Sequence, residues 1–144
     1  MGTLTANLHL MMSAFYKPTP ARFKILCEGR AFSSDQVRAD QFLSIRVIHL
    51  CPQYAFASQV RLHGYDPADA IIEIFPRPGE FSLRESDILD KIAEYGSSIA
   101  LVIFSGVQYY TGQWFPIKAI TNAANAQVSF RTPLVFCQVY TGNR

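Results

Sequence analysis

A chain of 144 residues with a formal charge of +2, 49% hydrophobic and 17% charged, has room for one domain with a buried core and not for two. Lys and Arg form no run and the charge gives no reason to invoke nucleic acid or an anionic membrane, while the modest charged fraction marks a globular rather than a disordered chain. The three cysteines, Cys27, Cys51 and Cys137, are widely spaced, with no CxxC and no His pair nearby, which argues against a disulfide framework or a structural zinc, and a reducing compartment fits.

Leu4, Leu8, Met11, Met12 and Phe15 recur at helical spacing and predict an amphipathic helix over residues 5–16, ended by Pro18 and Pro20. Residues 23–28 read as a short strand closed by Gly29, and residues 70–75 as a second, closed by Pro76, Pro78 and Gly79. Ser82-Leu83-Arg84-Glu85 has the spacing of a capping box, and Ile88, Leu89 and Ile92 behind it predict a helix that stops at Gly96. Residues 98–104 are almost all apolar and β-rich, as in a strand covered on both faces of a parallel sheet, and they lead into Ser105-Gly106. Pro116, placed at a first helical position, opens a last helix through Ile117, Ile120 and the alanines near Ala124.

This alternation of strand, loop and helix predicts an α/β fold with a mostly parallel sheet. Ligands of such sheets sit at the carboxyl ends of the strands, which directs attention to Ser105-Gly106 and to the loop Tyr109-Tyr110-Thr111-Gly112. The longest apolar runs, residues 99–104 and 70–72, are far shorter than the ~20 residues of a membrane span. The first residues lack the basic and apolar regions of a leader, and Ala6 stands where a myristoylation motif needs Ser or Thr. A soluble, cytoplasmic protein is expected.

Motif chemistry on its own is sparse. His9, His49 and His63 share no ligand spacing with one another or with Cys, so structural or surface roles and no metal are expected; neither GxGxxG nor a Walker sequence occurs. Gly2-Thr3-Leu4-Thr5 ahead of a helix reads first as an ordinary N-cap and second as a phosphate cradle of backbone N–H groups with a Thr hydroxyl. Phe32-Ser33-Ser34-Asp35 either clamps a planar ligand or turns the chain. Tyr109, Tyr110, Trp114 and Phe115 suit a core or an interface better than a cofactor box.

Six blocks in one order carry a closer resemblance: Leu4-Thr5-Ala6-Asn7-Leu8-His9, Phe15-Tyr16-Lys17-Pro18-Thr19-Pro20, Lys24-Ile25-Leu26, Ala31-Phe32-Ser33-Ser34-Asp35, Arg61-Leu62-His63-Gly64 and Phe104-Ser105-Gly106-Val107-Gln108-Tyr109-Tyr110-Thr111-Gly112-Gln113. Over residues 1–36 and 54–127 the chain resembles kynureninase. That family consists of homodimeric fold type I enzymes that use pyridoxal 5'-phosphate to hydrolyse kynurenine or 3-hydroxykynurenine to alanine and anthranilate or 3-hydroxyanthranilate, in tryptophan catabolism and NAD biosynthesis. The resemblance implies that Leu4 and Thr5 open the helix that receives the cofactor phosphate. It implies that Phe32 stacks on the pyridine ring, with Ser33, Ser34 and Asp35 completing the loop, and that Ser105 is a further cofactor contact. The family has Pro where Ser33 stands.

The resemblance also exposes differences. Such an enzyme needs a lysine for the Schiff base and an acid to keep the pyridine nitrogen protonated. Both lie in family blocks that follow the Ser-Gly strand, the acid within Asp-Leu-Ala-His. Neither block is found here, and Lys91 and Lys118 fall on predicted helices without the motif, so no catalytic residue is assigned and the chain alone is expected to be inactive. The organisation implied is a partial large, cofactor-binding domain over residues 1–127, interrupted by a non-family insert at 37–53 and followed by a non-family tail at 128–144. Two other readings stay open: a non-catalytic remnant, and a flavodoxin-like module that binds a phosphorylated cofactor at the Ser105 loop.

Reverse translation offers an origin for both foreign segments. Val37-Arg38 can be encoded by GTACGT, Val128-Ser129 by GTGAGT or GTAAGT, and Gln53 by CAG, so intron boundaries fit the insert and the start of the tail. A genuine surface-loop insertion is the alternative, since longer loops add little closure entropy, but residues 43–50 are unusually apolar for one. Sequencing the transcript decides: a retained intron predicts a spliced message without codons 37–53, and a spliced message that keeps them excludes it.

Overall fold

A computed structural model describes residues 4–29, 51–108, 111–127 and 134–138, and the side chains within them from residue 6 to 127 apart from 51–54. In chain order the elements are α1 (Leu4–Phe15), β1 (Lys24–Glu28), α2 (Cys51–Leu62), α3 (Pro67–Ala70), β2 (Ile71–Ile74), α4 (Glu85–Tyr95), β3 (Ile99–Ser105), α5 (Ile117–Ala126) and β4 (Leu134–Gln138). The strands form one sheet in the order β2-β1-β3-β4, every neighbouring pair parallel. The α/β fold with a mostly parallel sheet is therefore present.

Parallel strands require crossovers, and crossover helices cover both faces of the sheet. On one face Met12 and Tyr16 from α1 and its end, Phe56 and Val60 from α2, and Ala70 from α3 pack on Ile25, Cys27, Leu101 and Ile103. On the other, Ile88 and Ile92 from α4 and Ile120 and Ala124 from α5 pack on Leu26, Val102 and Phe104. This two-sided burial explains the unbroken apolar run of β3, whose first six residues are all buried. A register shift between Lys24 and Ile25 pairs Lys24 with Ile99 but Ile25 with Leu101, so Ala100 is an extra residue in β3. Like other bulges, it resets the alternation, and Ala100 and Leu101 consequently fall in the same core cluster.

Tyr16 ties α1 to the sheet: its ring is fully buried, its hydroxyl donates to the Phe23 carbonyl at 2.6 Å, and burial pushes its pKa up to about 12. Gly29, directly after β1, donates its N–H to Ile74 O at 2.7 Å, and a Cβ there would lie 2.5 Å from the Phe75 ring. The glycine thus permits β1 and β2 to end side by side.

Several sequence expectations shift. α4 does start beside the expected segment, but its N-cap is Arg84 and no side chain caps it, so Ser82 does not close a capping box. The reason is tertiary: the Gln113 side chain grips the Leu83 backbone on both sides, accepting from its N–H at 2.8 Å and donating to its carbonyl at 2.5 Å. Leu83 is thereby held outside the helix and buried in the core. Asp87 in the first turn instead makes a two-pronged ion pair with Arg77, at 2.7 and 2.9 Å. Pro116 is the N-cap of α5 rather than its first helical residue.

Three of the described elements carry no expectation: α2, which begins at Cys51 inside the segment read as an insert, the short α3 just ahead of β2, and β4, which lies wholly within the segment read as a tail. Among the described residues, no helix is long and apolar enough to cross a membrane.

Phe104 is fully buried and meets Phe115 edge-to-face, with ring centroids 5.3 Å apart. Truncating it as Phe104→Ala is expected to lower the unfolding free energy by about 3–5 kcal/mol in urea titrations. Phe81→Ala, at a side chain 85% exposed, should change it by less than about 0.5 kcal/mol.

Candidate functional site at the carboxyl edge of the sheet

β1 opens on the half-buried Lys24, after which Ile25, Leu26 and Cys27 precede Glu28, and in β3 six apolar residues precede Ser105. Parallel pairing in register, with Cys27 opposite Ile103, brings these two terminal polar residues together. The Ser105 hydroxyl donates to Glu28 Oε1 at 2.5 Å, a contact between residues 77 apart in sequence. Glu28 is only 1% exposed, and its second oxygen, Oε2, has no hydrogen-bond partner among the described residues.

Burial without a counter-charge disfavours the carboxylate. Desolvation pushes the Glu28 pKa up to about 7, against the opposing hydrogen bonds from Ser105. The neighbouring Cys27 thiol is driven well above its usual value, chiefly by burial and then by Glu73 and Glu28, and its sulfur donates to Ile72 O at 3.7 Å. It remains a neutral core thiol rather than a nucleophile.

After Ser105 the chain folds back on itself. Gln108 N–H donates to Gln113 O and Gly112 N–H to Gln108 O, both at 2.8 Å, while Val107 bridges Trp114. The Gln108 side-chain oxygen accepts from Thr111 N–H at 2.8 Å, and Gly112 takes a left-handed φ of 70° that favours glycine. The turn is thus pinned by its own amides, and it sets Gly106 directly against Phe115, whose N–H donates to the Gly106 carbonyl at 3.2 Å. The aromatic group expected here divides: Phe115 is core, Trp114 is 80% exposed, and Tyr109 and Tyr110 lie outside the described residues.

Of the residues singled out in the sequence, Ser105 stands at the carboxyl edge, as the strand rule requires. Leu4 and Thr5 open α1. Phe32, Ser33, Ser34 and Asp35 lie outside the described residues, in the segment that follows Gly29. Sequence reasoning missed Glu28. Its signal was an acid closing a strand of apolar residues that are otherwise buried on both faces. Two of the histidines sit in packing roles: His63 meets the Tyr16 ring edge-on at 5.4 Å, and His9 Nδ1 lies 3.4 Å from Gln59 Nε2, while His49 is outside the described residues.

The Glu28 shift has a definite sign in folding. Between its ordinary value of 4.5 and about 7, the native chain holds a proton that the unfolded chain has released, so stability falls as pH rises through that window. The loss amounts to about 3 kcal/mol from Glu28. Urea titrations between pH 4.5 and 8 should show this decline in the wild-type chain and a markedly flatter profile in Glu28→Gln.

No family model matches the chain. Comparison with curated proteins finds kynureninases. The kynureninase of Nematostella vectensis is 57% identical over 124 residues, which are 86% of this chain and 23% of that protein. That of Flavobacterium psychrophilum is 50% identical over 127 residues, 88% of this chain and 26% of its own length. That of Mus musculus is 45% identical over 130 residues, 90% of this chain and 24% of the mouse protein. The chain spans about a quarter of the length of the curated relatives it matches. High identity over nearly all of this chain, set on a parallel α/β sheet, makes it a relative of the kynureninases that corresponds to one partial stretch of them.

Proposed function

We propose that the chain is part of the cofactor-receiving large domain of a kynureninase, a cytoplasmic homodimer that hydrolyses kynurenine or 3-hydroxykynurenine with pyridoxal 5'-phosphate. The observation that carries this reading is the 45–57% identity to kynureninases from animals and bacteria over 86–90% of the chain. The fold agrees with a cofactor at this edge: the apolar interiors of β1 and β3 end in Glu28 and Ser105, and a buried carboxyl oxygen there lacks a partner among the described residues. Such a donor and acceptor set suits a ligand rich in hydrogen-bonding atoms.

In this reading the start of α1, with Leu4 and Thr5, holds the phosphate, because backbone N–H groups and the positive end of a helix favour an anion. Phe32 supplies a flat apolar face to the ring, Ser33, Ser34 and Asp35 border it, and the Ser105 hydroxyl adds a hydrogen bond from the sheet edge. When bound, the cofactor supplies an electron sink for cleavage of the substrate carbon–carbon bond. The two lysines noted in the sequence do not suit the covalent role. Lys91 is on α4, 2.6 Å from Glu94 and over the Tyr95 ring, and Lys118 is in the first turn of α5. β4 takes the sheet position next to β3, and none of its five residues, Leu-Val-Phe-Cys-Gln, is an acid. These 144 residues alone therefore bind the cofactor without turning over kynurenine. Residues 1–127 form the family-like part, with 37–53 an insert and 128–144 a tail.

Pyridoxine 5'-phosphate, which has no aldehyde and so cannot label lysines adventitiously, tests the reading by calorimetric titration of the folded chain. Saturable binding that weakens about 3- to 10-fold in Ser105→Ala is expected, the scale of one lost hydrogen bond. Treatment with pyridoxal 5'-phosphate and borohydride should give no single labelled lysine peptide, and kynurenine should not be consumed. A specific pyridoxyl-lysine with turnover would overturn the inactivity, and tight flavin binding without pyridoxine 5'-phosphate binding would favour the flavodoxin-like module.

A further inference from the structure

The Glu28–Ser105 contact has one heavy-atom geometry and two proton arrangements. With Glu28 ionised, the single hydroxyl proton of Ser105 is spent on Oε1, and toward a ligand the serine oxygen offers only lone pairs. With Glu28 neutral, the carboxylic acid donates to Ser105 Oγ, and the hydroxyl proton turns outward as a donor. The two states present opposite faces to whatever binds at the carboxyl edge. An anionic or acceptor-rich ligand is repelled by the first and bonded by the second.

We propose that Glu28 is a positioning residue that, in its protonated form, sets the Ser105 hydroxyl as a hydrogen-bond donor to a phosphorylated or otherwise acceptor-rich ligand, so that binding at this edge takes up one proton. The inference rests on the cofactor reading above and deepens it. Its geometric support is threefold: Glu28 is 1% exposed, its only hydrogen-bond partner among the described side chains is Ser105, and Oε2 is left bare among the described residues. A buried carboxylate in that setting lacks compensation, whereas the neutral acid spends its proton on Ser105. The upward push on its pKa to about 7 agrees, because the proton is then exchanged near neutral pH.

The ionisable surroundings do not supply a competing charge. On β1 the adjacent Cys27 thiol stays neutral, since its pKa is raised well above the usual value. On β2 the acid is Glu73, register partner of Cys27, whose negative charge acts on that thiol. On β3 the neighbour is Ser105 itself, and its register partner on β4 is Gln138; neither titrates. Among the described residues, no cation contributes to the Glu28 shift, whose causes are burial and Ser105.

Calorimetric titration of the full chain with pyridoxine 5'-phosphate, at pH 6 to 8.5 and in buffers of different ionisation heat, tests this. Above pH 7 wild-type affinity should fall toward tenfold per pH unit beyond the ligand's own titration, with close to one proton taken up. Glu28→Gln, whose amide donates to Ser105 permanently, should bind at pH 8.5 as tightly as the wild type does near pH 6, with no such uptake. Once Ser105→Ala is in place, adding Glu28→Gln should change the affinity no further at any pH. Binding with the same pH dependence in Glu28→Gln, or weaker binding at every pH in a variant that circular dichroism shows to be folded, would overturn the role of Glu28 and leave the cofactor reading standing. Absence of binding in both folded chains would overturn the cofactor reading and this inference with it.

Discussion

Two-sided burial of a parallel sheet governs everything else in this chain. Helices on both faces leave the interior of β1 and β3 no solvent-facing side, so the positions between the strand ends are apolar and neutral. Polar chemistry is thereby confined to one edge. Ser105 and Glu28 occupy the first positions where a hydroxyl and a carboxyl are tolerated, and parallel register puts them in hydrogen-bond contact rather than at opposite ends of the sheet.

The same constraint explains why that edge is chemically sensitive. A carboxyl group at the boundary of a dry core is too buried to be a carboxylate at low cost, yet near enough to a hydroxyl to share a proton with it. Behind it Cys27, equally buried, is a core group with its proton retained. Ahead of it the loop after Ser105 is braced by Gln108 and Gln113, and Gln113 also reaches across to Leu83. Gln113 thus serves both places, its backbone carbonyl in the turn beside Ser105 and its side-chain amide at the entrance to α4.

Large apolar side chains remain on the outside: Leu10, Leu62, Phe81 and Trp114 are each mostly exposed. The segment read from the sequence as a tail contributes to the sheet. β4, within residues 128–144, pairs with β3 over five register positions, from Leu101 with Leu134 to Ser105 with Gln138. An apolar run of any origin satisfies the hydrogen-bonding edge of β3, because backbone pairing asks for extended conformation and little else.

The sequence by itself determined the α/β class, the first helix, β1, β2 and the buried β3, because apolar period, proline stops and glycine ends are local signals read within a few residues. It also determined the kynureninase resemblance and Ser105 as an edge residue, since both depend only on the order of residues along the chain. Tertiary structure decided the rest. α2 is stabilised by Phe56 and Val60 against the sheet, and Ser82 loses its capping role to a side chain 31 residues away in sequence, Gln113, gripping Leu83. Glu28 gained its meaning in the same way: an acid at a strand end is unremarkable in sequence, and only the pairing of β1 with β3 buries it, gives it Ser105 and removes every other partner among the described residues.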